Sequence, residues 1–275
     1  MADTVVYAYA IARYSERLDR AAAATHGIAG APVLLLQAAT GATAHAEVPG
    51  LAAAISRVPA ADFREDALAA HLEDIQWLEA TARAHHAVIA ALAEQTTVLP
   101  LRLGAVYFDD EGVRRVLAAR QTEFGAGLDR LAARVEWGVK IYLEAAPARE
   151  PVPDRPPSSD LGPGRAYLHS RRAARDRHAE RYRAAEQAAV RVETAAAGLA
   201  VARAHHRVHG DGTGAGEGEN VVNDAYLVPE DRAEAFRAQV LRAAQGLSGI
   251  RVEVTGPWAP YSFADLPPDD RTDGR

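Results

Sequence analysis

The sequence predicts an α+β protein of two units, each an antiparallel or mixed sheet covered on one face by helices. Three observations predict it. Residues 4–11 and 135–143 alternate in the period of a half-buried strand. Between such runs, apolar residues recur at three- and four-residue steps, the period of an amphipathic helix. These runs come in the order strand, hairpin, helix, strand up to about residue 108, then strand, helix, strand, helix, strand after residue 134.

The first strand, residues 4–11, is rich in Val and Tyr. Pro32 opens a second apolar run, Val33–Leu36, and Gly41 turns the chain into Ala42–Val48, a hairpin that Pro49–Gly50 ends. Asp62 to Glu65 reads as a capping box. It announces a helix reaching about residue 94, with Leu68, Leu72, Ile75, Leu78, Ala82, His85, Ile89 and Leu92 on one apolar face. Val98–Leu103 reads as a strand that Pro100 confines to an edge or a bulge, extended by Val106–Phe108. Asp109, Asp110 and Glu111 suit a helix N-terminus, and Val113, Val116, Leu117, Phe124, Leu128 and Leu131 give a helix over 109–132 its apolar face.

Val135, Trp137, Val139, Ile141 and Leu143 fall on one side of the next strand. Residues 148–164 are crowded with proline and read as a loop. A long helix follows over about 165–207, where Tyr182, Ala185, Ala189, Val192, Ala196 and Leu199 form a coiled-coil-like seam. After a glycine-rich break at 210–220 come a strand (Val221–Val228), a helix from Pro229 to about Gln245, a strand (Ile250–Thr255) and a tail rich in proline and aromatics. No internal repeat is convincing. The expected domains are residues 1–108, residues 109–264 with the loops 148–164 and 210–218, and a disordered tail at 265–275; the helix at 109–132 suits either domain.

Composition bounds the function. Of the 275 residues, 48% are hydrophobic and 25% charged, enough apolar material for a buried core. A net charge of −6 points to a soluble protein and away from a general polyanion binder. With no cysteine, disulfides and thiolate chemistry are excluded, and a reducing cytoplasm is the natural compartment. The N-terminus reads as a strand and not as a signal peptide, and no apolar run approaches the ~20 residues of a membrane span.

Five groups of residues offer chemistry. His205 and His209, with His206, have a spacing that could put two imidazoles on one helix face as metal ligands, but no third ligand is near, and a solvated helix end is the better reading. His85 lies on an apolar stripe as a core-edge histidine with a backbone partner. The glycine run 210–218 lacks the Lys-Ser/Thr of a phosphate loop and carries acids, so it reads as a connector. Residues 165–209 hold ten arginines against four acids; given the acidic remainder of the chain, they read as a solvated or acid-pairing face, open to an acidic protein partner, ahead of a nucleic-acid grip. Gly246–Gly249 lacks the spacing of a nucleophile elbow, and Asp109–Glu111 caps a helix. No catalytic residue, metal or cofactor is expected. Last, Trp258, Tyr261 and Phe263 sit in a stretch stiffened by Pro257 and Pro260. They either plug their own domain or anchor a partner.

Six motifs in order carry a resemblance: Tyr7–Ile11, Val98–Gly104 with the acidic helix start behind it, Arg134–Lys140, Gly164–Leu168, Asn223–Pro229 and Thr255–Ala264. Together they resemble the GvpF/GvpL gas vesicle proteins over nearly the whole chain; Ala259 stands where that family more usually has proline. The resemblance implies two modified ferredoxin-like units with a long helix in the second. It also implies a non-enzymatic accessory role at the gas vesicle, binding the hydrophobic shell protein and other accessory proteins, with no nucleic acid and no membrane. Arg102, Trp258, Tyr261 and Phe263 are the expected partner-binding residues. The alternative from fold class alone is a small-molecule-sensing module.

Overall fold

The computed structural model describes residues 3–38, 50–64, 67, 70, 71, 73–144, 163–208 and 218–265. The chain divides into two compact units, one formed by the residues up to Arg134 together with those from Trp258 on, the other by Val135–Pro257.

The first unit contains β1 (Thr4–Arg13), α1 (Glu16–Ala23), β2 (Leu34–Gln37), β3 (Leu51–Pro59), a helical turn α2 (Ala60–Phe63), α3 (Ile75–Ala93), β4 (Val98–Pro100), β5 (Val106–Tyr107), α4 (Asp110–Ala119) and α5 (Gln121–Leu131). Its sheet runs β2-β3-β1-β4, with β5 also paired to β1, and each pairing is antiparallel. Residues Val5 to Ala12 of β1 are all buried, so both faces of this central strand are covered. One layer is α1 and α3, which bury Leu18, Val88, Ile89 and Leu92 against Tyr7 and Tyr9. α4 packs along β2 and β3, and α5 along β4. Their buried Val113, Leu117, Phe124, Leu128 and Leu131 lie outside that cluster, as a second helical layer.

The second unit contains β6 (Arg134–Leu143), α6 (Pro163–Ala197), β7 (Ala202–His205), β8 (Glu219–Pro229), α7 (Ala233–Ala243) and β9 (Ile250–Trp258). Its sheet runs β7-β8-β6-β9. Trp137, Val139, Ile141 and Leu143 of β6 meet Ala185, Ala188, Val192 and Ala196 of α6 and Phe236 and Val240 of α7. The expected alternation of β6 and the seam of α6 are both visible in this core.

Numbered within its own unit, each sheet has the strand order 2-3-1-4, and each is built as strand, helix, strand, strand, helix, strand. This α+β architecture is the expected class, and the order is consistent with ferredoxin-like units. The topology repeats although the sequence shows no repeat, because the arrangement needs only the patterning of its elements.

Several expectations are corrected. Leu51–Pro59 is a full partner of β1, where no strand was expected; the Ala42–Val48 half of the predicted hairpin lies outside the described residues. α3 starts at Ile75, capped by Asp74, which accepts from the N–H groups of Gln76 and Trp77. The predicted cap Asp62 lies inside α2, and Ile75, placed on the apolar face, is 79% exposed. The helix over 109–132 is two helices that meet at Arg120, whose backbone leaves the helical range. The boundary expected between residues 108 and 109 falls at Arg134/Val135, because α4 and α5 pack on the first sheet. α6 ends at Ala197, and His205 closes strand β7. The disordered tail expected over 265–275 lies outside the described residues except for Asp265.

Candidate functional site

Arg102, Trp258, Tyr261 and Phe263 all belong to the first unit, although the last three follow the final strand of the second. His86 on α3 organises the tail. The Trp258 ring meets its imidazole edge-on at 5.4 Å, and the Tyr261 ring stacks on it at 5.8 Å. The Tyr261 hydroxyl is 3.1 Å from His86 Nδ1. Arg130 of α5 donates to the Phe263 carbonyl at 2.9 Å, and Arg102 donates twice to Asp265 Oδ1, at 2.9 and 3.2 Å. The aromatic tail is thus a strap on its own chain, held to α3, α5 and the residues after β4. It serves the first unit and not the second, where sequence reasoning had placed it.

Beside the strap, β1 sends Tyr7 and Tyr9 to one face. Tyr7 Oη is 2.9 Å from His85 Nδ1, and His85 Nε2 is 3.2 Å from the Leu101 carbonyl oxygen. A carbonyl only accepts, so Nε2 carries the proton and Nδ1 accepts from the Tyr7 hydroxyl. That hydroxyl in turn accepts from the Gly104 N–H at 3.0 Å. Burial pushes the His85 imidazole down to about 4, with the Leu101 carbonyl opposing and His86 adding to the fall. Burial also raises Tyr7 to about 12. Tyr9 accepts from the Ile28 N–H and donates to Ser56 Oγ, both at 2.9 Å, and Ser56 passes the bond to the Pro32 carbonyl. Gly27 is required here, since a Cβ would collide with the Tyr9 hydroxyl. These are chains of protons spent on holding loops, with His85 in the role its place on the stripe implied.

In the second unit, buried Asp224 on β8 accepts from Arg203 (2.8 and 3.1 Å) and pairs with His205 Nδ1 at 2.7 Å. Arg203 also meets Glu193 of α6 at 2.9 Å. Antiparallel pairing sets Arg203 opposite Tyr226 and His205 opposite Asp224, which gathers the cluster on one face of the sheet. Tyr226 Oη and Trp137 Nε1 are buried without a hydrogen-bond partner among the described residues. Burial pushes Tyr226 up to about 12. His205 is therefore a strand residue in an ion-pair cluster and not on a helix, and His209 lies outside the described residues. Among the described residues no group of three or more His, Asp or Glu is placed to hold a metal, and no helix is long and apolar enough to cross a membrane. Sequence reasoning missed the Asp224 cluster and an exposed Phe108. The only signals were an acid set directly before the apolar run Ala225–Val228 of β8 and an aromatic directly before the helix cap Asp109.

Comparison with known proteins covers both units. The family model of the gas vesicle synthesis protein GvpL/GvpF matches residues 5–265. The chain is 40% identical over 268 residues to gas vesicle protein L of Streptomyces sp. (strain CB03234), covering 98% of this chain and 96% of the relative. It is 28% identical over 198 residues to gas vesicle protein F of the same strain, covering 70% and 81%. Its fold matches the crystal structure of gas vesicle protein GvpF from Anabaena sp. PCC7120 at a TM-score of 0.64 and 18% identity, over 96% of this chain and 97% of that one. The GvpF structure from Microcystis aeruginosa gives 0.62 at 18% identity, over 95% and 99%. A match that spans both units and the strap between residues 5 and 265 places this chain in the GvpL/GvpF family of gas vesicle proteins.

Proposed function

We propose that this chain is an assembly factor of the gas vesicle, a cytoplasmic and non-enzymatic protein that binds the hydrophobic shell protein and other accessory proteins while the vesicle is built. The observation that carries the reading is family membership across residues 5–265. The geometry supports it. Tyr7, Tyr9 and His85 of the first unit, all shifted by burial, are committed to backbone, to Ser56 or to one another, as holding groups are. The nearer likeness to the Streptomyces protein L than to the protein F of that strain supports the L branch.

A shell subunit that packs as strands into a water-excluding wall aggregates if released bare. A folded α+β partner that covers its open edge or apolar face prevents this. A split-reporter assay in cells that make this chain and the shell protein tests the proposal. Signal above that of an unrelated α+β protein supports it, and its absence, with normal vesicles after gene deletion, removes it.

A further inference from the structure

β5 and the first turns of α4 frame an open groove of about 600 Å³ lined by Val106, Tyr107, Phe108, Arg115, Val116 and Ala119. Phe108 is 90% exposed, an apolar ring left in water at the groove's rim. Two further features say what the groove fits. The first is an open sheet edge. The Ala8 N–H donates to the Ala105 carbonyl at 2.9 Å, and Val6 pairs with Tyr107. Antiparallel alternation then aims the N–H and C=O of Val106 away from β1, and β5 pairs with no other strand among the described residues. The second is charge. Nearby arginines are paired, Arg57 with Asp110 at 2.7 Å, Arg114 with Glu111 at 3.9 Å and Arg120 with Glu123 at 2.6 Å. Arg115 is exposed and has no acidic partner among the described residues, while Asp109 in the same wall is committed to capping α4 through the Gly112 N–H.

We propose that this groove receives an extended segment of the gas vesicle shell protein. The segment adds as a strand beside Val106, packs a large apolar side chain against Phe108 and Val116, and sets a carboxylate on Arg115. The inference rests on the reading that this chain binds the shell protein. A second copy of the chain fits less well, because a two-fold contact through this face sets Arg115 against itself. The chain's own strap is docked beside His86 and Arg102.

The test is a split-reporter assay between the full-length chain and co-expressed shell protein, with melting temperatures and size-exclusion profiles of each purified variant. Phe108→Asp, Arg115→Glu and Gly112→Leu should each lower the signal about tenfold. Gly112→Leu plugs the groove without removing a ring or a charge, because a Cβ there meets only ordinary contacts, 3.5 Å from Asp109 Oδ1 and 3.8 Å from Tyr107. Ile75→Asp, at another exposed apolar position, should leave the signal unchanged. Melting temperatures should stay within about 2 °C of the parent. If Phe108→Asp melts early, Gly112→Leu and Arg115→Glu decide. Parental signal in the groove variants overturns the groove and leaves the assembly role standing. No signal from the parent overturns both. A dimer that Phe108→Asp turns into monomer makes a second copy the occupant and overturns the proposal.

Discussion

The Tyr7 hydroxyl and His85 Nδ1 stand 2.9 Å apart between the central strand and α3, and this bond fixes the histidine as the neutral Nε2–H tautomer. Protonating Nδ1 would remove the acceptor that Tyr7 uses and place a charge in a buried site. The strand, the helix and the Leu101–Gly104 turn are thereby tied together through one imidazole.

Stability should therefore fall in mild acid. Burial lowers the folded pKa of His85 to about 4, while the unfolded chain titrates near the ordinary value of 6.5, so unfolding takes up a proton between these values. The contribution is complete above pH 6.5 and is lost as pH falls towards 4, by roughly 3 kcal/mol. Urea midpoints of the first unit's transition at pH 7, 5.5 and 4 measure it. His85→Gln keeps a donor for Leu101 and should flatten that slope; an unchanged slope in the variant contradicts the assignment.

Removing the Tyr9 hydroxyl strands the Ile28 N–H and takes away the bond that Ser56 Oγ accepts, leaving Ser56 only its donation to Pro32. Tyr9→Phe should cost about 1–3 kcal/mol, seen in denaturant unfolding. Gly27→Ala should cost more, because its methyl collides with both the Tyr9 and Ser56 oxygens.

The strap should separate into strong and weak members. Arg102 and Asp265 are 85% and 68% exposed, so Arg102→Ala should change stability by less than about 1 kcal/mol, and high salt should erase the difference. Tyr261→Ala removes a ring stacked on His86 and packed on the core, and should cost about 2 kcal/mol in the first unit's transition. Equal effects from the two variants contradict this ranking.

Asp224→Ala should destabilise the second unit by about 3 kcal/mol, because Arg203 loses its buried carboxylate. Adding Arg203→Ala should recover part of the loss. A double-mutant cycle from urea melts reads the coupling, and strict additivity rules out a direct ion pair.

What could be read from sequence follows from how each element is buried. From Trp137 to Leu143, β6 shows a period of two because one of its faces meets the helices, with Trp137 inward and Lys140 half-exposed. β3 does not, because Leu51 to Ile55 is buried throughout and alanines on both faces erase the contrast. β7 is four residues long and continues the alanine- and arginine-rich composition of α6, so its local pattern does not separate it from that helix. The His85 backbone bond was legible from an apolar stripe. The docking of Trp258 and Tyr261 on His86 was not, since it joins residues more than 170 positions apart and nothing in the local pattern names the receiving helix.

The central claim is that this chain holds another polypeptide while the vesicle forms. Its most direct test is affinity capture of the tagged full-length chain from vesicle-forming cells, with the shell protein quantified by mass spectrometry against a capture of Phe108→Asp. The account predicts shell protein enriched with the parent and depleted about tenfold with the variant. Absence of shell protein from the parent capture would contradict it.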